Sequence, residues 1–156
     1  MKRILTAVVL IPVVLLLALR APVVVLAPFI ALAALLCIRE FLDLVRHYGI
    51  EPMTGPVYGF TVLLFLALAL QPVTQPLIST ALMMYAVGFF GVVSPFLFLG
   101  IAMRQQDLRS AFPAAAAGAF AMVYIALPLA LVLQIRLMWA GAFLVLYLLI
   151  LVWVGD

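Results

Sequence analysis

Groups able to do chemistry are scarce in this chain. It holds one histidine, one cysteine and five acids, and the only two acids close together in sequence are Glu40 and Asp43. A lone His and a lone Cys argue against a histidine-based metal centre and against Cys/His nucleophilic catalysis. No glycine-rich phosphate loop is present, so what remains is the chemistry of carboxylates and arginines. His47 follows Asp43 by four residues, within helical reach, and reads as an interfacial histidine with a local partner. Cys37 lies in an apolar run and reads as packing; it can form no intrachain disulfide. Glu40, beside Arg39 at the end of an apolar span, is either a solvated helix end or a functional carboxylate. Arg136 interrupts an apolar stretch and reads most simply as a loop charge. The sequence closes on Trp153-Val154-Gly155-Asp156. There an apolar helix finishes on a carboxylate, either a plain polar end or the first residue of a motif that continues.

The elements that position these groups are set by composition. Of 156 residues, 71% are hydrophobic and 8% charged, against roughly 45–50% and 25% in a soluble domain. Thirteen charged side chains cannot cover a 17 kDa globule, which excludes a soluble enzyme, a disordered tail and a nucleic-acid-binding module. The long apolar stretches do not alternate as a β-barrel requires. The expectation is therefore an all-α, polytopic membrane bundle, because lipid offers no partner to an unpaired backbone group.

Six spans are expected, over 4–19, 23–38, 57–70, 77–103, 111–135 and 137–154, forming a single membrane domain. The first begins on Met1-Lys2-Arg3 in the manner of a signal peptide. It ends in Arg20-Ala21-Pro22, however, where a cleavage site wants small residues. At about 24 Å it is short for a ~30 Å hydrocarbon core, so its flanking arginines are expected to snorkel. Residues 39–48 continue the second helix as an amphipathic extension. Phe41, Leu44, Val45 and Tyr48 lie on its apolar face, with Arg39, Asp43, Arg46 and His47 opposite. Gly49 and Pro52 stop it. A kink is expected at Ser94-Pro95, and close helix approach at Ala114/Gly118 and Ala117/Ala121. Trp139 and Trp153 are placed as interfacial anchors of the sixth span.

Six spans put Lys2, Arg3, Arg39, Arg46, Arg104 and Arg109 on one face, and Arg20 and Arg136 on the other. The positive-inside rule makes the first face cytoplasmic. All five acids join it, so it carries eleven of the thirteen charges. The expected location is the inner (plasma) membrane, with the N-terminus and Asp156 towards the cytosol.

The stretch Arg3-Ile4-Leu5-Thr6-Ala7-Val8-Val9-Leu10-Ile11-Pro12 resembles the opening of bacterial phosphatidate cytidylyltransferases (CDP-diacylglycerol synthases). In that family a second span ends in an acid followed by an aromatic, as Glu40-Phe41-Leu42 does here. An Arg ahead of a Gly-Ala-containing span ending in Val-Trp-x-x-Asp is matched by Arg136, Gly141-Ala142 and Val152-Trp153-Val154-Gly155-Asp156. The resemblance covers the N-terminal part of the family, whose Lys- and Asp-rich signature would follow. It implies transfer of CMP from CTP to phosphatidic acid, giving CDP-diacylglycerol and pyrophosphate. It also implies Mg²⁺ as cofactor, and places Asp156 in the polar site as a catalytic or metal-binding carboxylate. Glu40 and Arg136 become candidate substrate-binding positions. No nucleic acid is implied, and a homodimer is compatible with it.

Two other readings stay open on the residues alone: a small transporter or channel subunit, and a structural membrane protein. No apolar span has an ionisable residue near its middle, which counts against a conduction path. On the family reading the 156-residue chain is expected to be inactive by itself. A purified preparation should give no CTP-dependent conversion of phosphatidate, and measurable turnover would contradict both the resemblance and the expectation of a missing segment.

Overall fold

Pro22 decides where the first two helices part. The computed structural model of the chain describes residues 12, 14–70, 76–104 and 108–155. Residues 14–20 are helical (α1), and the Ala21 amide closes that helix on the Leu17 carbonyl at 3.1 Å. Pro22 is extended (φ −63°, ψ 151°) and its carbonyl accepts the first bonds of α2, Val23–His47. A proline has a fixed φ and no N–H to donate, so one helix must stop there and another can start.

The other elements are α3 (Thr54–Ala69), α4 (Pro76–Ala102), α5 (Leu108–Phe120), a π-helical segment (Ala121–Ala126), α6 (Leu127–Leu137) and α7 (Gly141–Gly155). No strand occurs among the described residues. The all-α expectation holds. Two helices, Val23–His47 and the continuous Arg109–Leu137, are long and apolar enough to cross a membrane. Thr54–Ala69, Val87–Ala102 and Gly141–Gly155 are shorter apolar helices. Most of the expected first span, 4–11 and 13, lies outside the described residues, as do the 71–75 loop, residues 105–107 and Asp156.

α2 is the central strut. Leu26, Ile30, Ala34, Ile38, Leu42 and Val45 are buried along it, a stripe at three- and four-residue spacing, and α3, the π segment and α6 pack against the helix. α3 answers with Val57, Thr61, Leu64, Phe65 and Leu68. Small residues let the long Arg109–Leu137 helix come close. Ala114, Ala117, Ala121, Ala126 and Ala130 are all buried, and a Cβ on Gly118 would stand 3.2 Å from both the Phe98 ring and Val57 Cγ2. The expected close approach at these positions is therefore present. Beside it, Phe60 meets Phe98 and Phe90 edge-on, with centroids 5.5 and 6.0 Å apart. The π segment ends two residues before Pro128, which lies near the start of α6. A proline ring clashes with the carbonyl four residues back, and a π bulge in the turn before it relieves that clash.

Several sequence expectations need correcting. Residues 39–48 do continue α2, and Gly49 ends it with φ +76°, a left-handed residue that glycine adopts at little cost. Of the apolar side expected there, Val45 is buried and Phe41 packs on the core and against Phe120, with ring centroids 5.4 Å apart, beside the buried Ile38 and Leu42; Leu44 and Tyr48 are instead 56% and 77% exposed. The third helix starts at Thr54, and the fifth span lengthens at both ends, to Leu108–Leu137. Arg136 does not separate two spans. It lies in the last turn of α6, and the chain turns over Met138–Ala140 before α7 starts at Gly141. Trp139 sits in that turn, almost wholly exposed, and not inside the sixth helix. α4 runs on as helix through Pro95, with the Ser94 hydroxyl donating to the Phe90 carbonyl.

The exterior is largely apolar. Leu32, Leu66, Phe96, Phe112, Tyr124 and Phe143 are among many large side chains left exposed, and α7 buries only Gly141 and Val145. Gly118→Leu should lower the unfolding midpoint in detergent by the equivalent of about 1–3 kcal/mol, the usual cost of overfilling a packed contact. The same exchange at Gly88, where nothing lies within 4 Å of a Cβ, should cause no loss.

Candidate functional site

Polar side chains gather at the two ends of α2. At its C-terminal end Asp43 is held by two arginines: Arg46 Nη1 donates to Oδ1 at 2.7 Å, and Arg39 Nε lies 3.9 Å from Oδ2. These are i,i+3 and i,i+4 spacings, the ones that face each other on a helix. Arg39, Asp43 and Arg46 by themselves keep one positive charge in excess, which the neighbouring Glu40 and Glu51 offset. His47 Nδ1 lies 2.8 Å from the Asp43 carbonyl oxygen, so its local partner is the backbone and not the carboxylate. Beyond Gly49 the chain bends around an open cleft of about 530 Å³ lined by Arg46, Gly49, Ile50, Glu51 and Pro52. Glu40 is exposed on the same end and has no ion pair among the described residues. Glu40 and Asp43 are thus not a free acid pair, since Asp43 is already neutralised.

Arg136 is at the opposite end. Its Nε donates to the Ala18 carbonyl at 2.9 Å and its Nη2 to the Ala21 carbonyl at 3.4 Å. The reason lies in α1. Ala18 would normally accept from the amide four residues on, which is Pro22 and has none. The guanidinium, with five donors in a fixed fork, fills that deficit and adds positive charge at a helix C-terminus, where the macrodipole favours it. Gly141 completes the same corner: a Cβ there would run into the carbonyl oxygens of Ile135 and Arg136. Ala140 before it takes a positive φ of 59°. The spacing of Arg136 and Gly141 is therefore that of a helix end and a tight turn.

Along α2, Glu40 is about 27 Å from the Pro22 turn, at 1.5 Å per residue. The structure does not bring Glu40 and Arg136 together. Asp156, the third residue singled out, lies outside the described residues. Among the described residues no three His, Cys, Asp or Glu side chains converge, and Asp43 is occupied by arginines. The carboxylates described do not make a Mg²⁺ site, and no step is assigned to that ion.

Sequence reasoning did not find the link between Arg136 and the α1–α2 turn. Its partners are 118 and 115 residues away, although Pro22 and an arginine at a helix end were the two halves of the signal. Arg136→Gln should destabilise the fold by about 1.5–3 kcal/mol, the usual worth of a hydrogen bond to a charged group. It should also raise hydrogen exchange in α1 and the first turn of α2. Arg136→Lys should recover part of the loss. An unchanged exchange pattern in the Gln variant would remove this role.

The charged groups therefore divide into a structural corner at one end of α2 and an accessible cluster at the other, where Arg39 and Arg46 pair with Asp43, and Glu40 and Glu51 stand near them. No curated protein and no solved structure matches the chain. All 156 residues match the cytidylyltransferase family, residues 1–156, so the chain belongs to that family of nucleotidyltransferases, whose nucleotide substrate is CTP.

Proposed function

We propose that the protein transfers CMP from CTP to phosphatidic acid, making CDP-diacylglycerol and pyrophosphate at the cytoplasmic surface of the inner membrane. A phosphate oxygen of the lipid attacks the α-phosphorus of CTP. The bond from that phosphorus to the β-phosphate bridging oxygen breaks, and pyrophosphate leaves with the electron pair. Two polyanions must meet, so the protein's part is to position them and to offset their repulsion with fixed positive charge.

The observation that carries this reading is the apolar exterior of a cytidylyltransferase family member. A soluble acceptor would not require helices that expose phenylalanine and leucine on almost every outer face, whereas a lipid acceptor is met inside the bilayer. The proposed orientation puts Arg39, Arg46 and His47 at the cytosolic interface, where CTP and a lipid phosphate can both reach. Asp156 belongs to that side as a proposed polar-site carboxylate, with Glu40 near it. Arg136 falls on the far side, where its proposed part is to hold α1.

Membranes carrying the protein in its full natural length should convert radiolabelled CTP and phosphatidate into CDP-diacylglycerol, with one pyrophosphate per turnover and none with diacylglycerol as acceptor. Transfer to a water-soluble acceptor, or none at all, would overturn the reading. In a Cys37→Ser background, Tyr48→Cys should react with an impermeant maleimide from the cytosolic side and Trp139→Cys from the opposite side. Labelling of both from one side would refute the orientation.

A further inference from the structure

Side-chain contacts fix the heights of the helices against one another. Phe41 of α2 lies against Phe120, with ring centroids 5.4 Å apart. Gly118, two residues before Phe120, lies against Phe98 of α4. The Arg109–Leu137 helix runs antiparallel to both neighbours, since Arg136 meets the turn ahead of α2 and Leu127 lies against Gly91. α2 and α4 therefore run the same way, and Phe96 stands level with Phe41 to within one helical turn, about 5 Å.

At that level the two helices present opposite surfaces. On α2 the exposed Leu32 and Leu36 give way, at the next step of four, to Glu40. Arg39 beside it has a side chain 71% exposed, and Asp43, Arg46 and His47 follow within two turns. On α4 Phe89, Val92 and Phe96 form an exposed strip at steps of three and four, with Phe96 71% exposed. Ile101 and Met103 are exposed beyond it. The first charge after them is Arg104, about 12 Å past Phe96. The uncharged lengths differ in the same sense. Pro76–Ala102 of α4 holds no charged residue over about 40 Å, whereas on α2 only Val23–Ile38 is uncharged, about 24 Å.

A flat membrane surface cannot suit both helices. Drawn at Arg104, it would sink Arg39, Glu40 and Asp43 into hydrocarbon, where ionised groups are costly. An arginine can snorkel out, but Glu40 and Asp43 are too short to climb about 10 Å. Drawn at Arg39, it would leave Phe96, Ile101, Met103 and Phe112 exposed to water, a patch that wetted surfaces avoid. Tilting the bundle as a rigid body leaves the difference in apolar length as it is. A helix too short for the bilayer is met by thinning the lipid beside it.

We infer that the bundle sits in a bilayer of uneven thickness, its surface drawn down beside α2 to the level of Arg39 and standing near Arg104 beside α4. Glu40, Asp43 and the two arginines then line a water-filled notch about 10 Å below the surrounding headgroups. Lipid is the partner that the α4 strip fits. From Phe89 to Met103 it exposes no polar side chain, Ser94 being buried, so nothing on it favours a partner helix over acyl chains. The inference rests on the membrane placement proposed above, and neither on the acceptor nor on which side is cytosolic.

The test places nitroxide labels on single cysteines in the Cys37→Ser chain, reconstituted in phosphatidylcholine nanodiscs. Power saturation with oxygen reports hydrocarbon, and with a water-soluble nickel chelate it reports water. All the labelled sites are exposed side chains, so the packed core is untouched. Glu40→Cys should be nickel-accessible and Phe96→Cys oxygen-accessible, in spite of their common level. On α2 the change from oxygen to nickel should fall between Leu36→Cys and Glu40→Cys, and on α4 beyond Ile101→Cys. With Arg39, Glu40 and Asp43 all replaced by Leu, the notch should close, and Leu44→Cys should turn from nickel-accessible to oxygen-accessible. Like accessibility at Glu40 and Phe96, in either medium, would overturn the uneven boundary. A Phe96 label shielded from both reagents would show protein covering α4 and overturn it as well. Were Leu36 and Val92 labels also nickel-accessible, the membrane placement itself would fall. Both in oxygen, with Glu40 and Phe96 alike, would leave that placement standing and remove only the notch.

Discussion

A carbonyl oxygen left without its helical donor has to be satisfied from elsewhere, and in an apolar bundle elsewhere means another part of the protein. Pro22 creates that situation at Ala18, and Arg136 resolves it from 118 residues away. This contact ties the end of α6 to the turn that launches α2, and α2 is the helix on which α3, the π segment and α6 all pack. The start and the late part of the chain are thereby held at one corner by charge-assisted hydrogen bonds, where a bundle of apolar helices otherwise has only dispersion and shape to choose among packings. The proline and the arginine belong together: without Pro22 the Ala18 carbonyl would have an amide partner, and without Arg136 the proline would leave a buried deficit.

Shape does the rest of the specification. Gly118 fits between Phe98 and Val57 because it has no Cβ, and Thr61, fully buried, lies 3.4 Å from the Met122 sulfur while donating to the Val57 carbonyl. Met122 is in the π segment. The irregularity upstream of Pro128 is thus in contact with the core of α3. Small residues on one helix and aromatic rings on its neighbours set the approach distance, as expected where water is not driving the helices together.

How far the sequence could be read follows from the range of each interaction. Local signals were legible. The Arg20-Ala21-Pro22 turn, the stop at Gly49 and the small residues of 114–121 each act within a few residues, and each is where it was expected. The apolar side of 39–48 was legible only in part: Phe41 and Val45 face inward, and Leu44 and Tyr48 do not. Both Phe41/Leu44/Val45/Tyr48 and Ile38/Leu42/Val45 satisfy helical spacing, and only the position of the neighbouring helices turns Phe41, Leu42 and Val45 inward and leaves Leu44 and Tyr48 outside. Arg136 was legible as a charge in an apolar stretch, but a purpose for it required its distant partner. The same holds for the apolar groove between α2 and α3: residues of both helices line it, and periodicity within either one says nothing about the space between them. Asp156, on which the sequence reading placed most of the chemistry, lies outside the described residues, so its part in the reaction stays a proposal.

The division of charge between the two ends of α2 bears on how such a catalyst can be built. At one end Arg136 is spent on backbone carbonyls. The arginines at the other end share a single carboxylate and keep capacity for a further anion. A nucleotidyltransferase that takes CTP needs cationic groups with donors to spare, and a guanidinium already committed to backbone carbonyls cannot serve. Satisfying Arg136 internally takes it out of that role, while Arg39 and Arg46 keep exposed donors beyond those that Asp43 takes up.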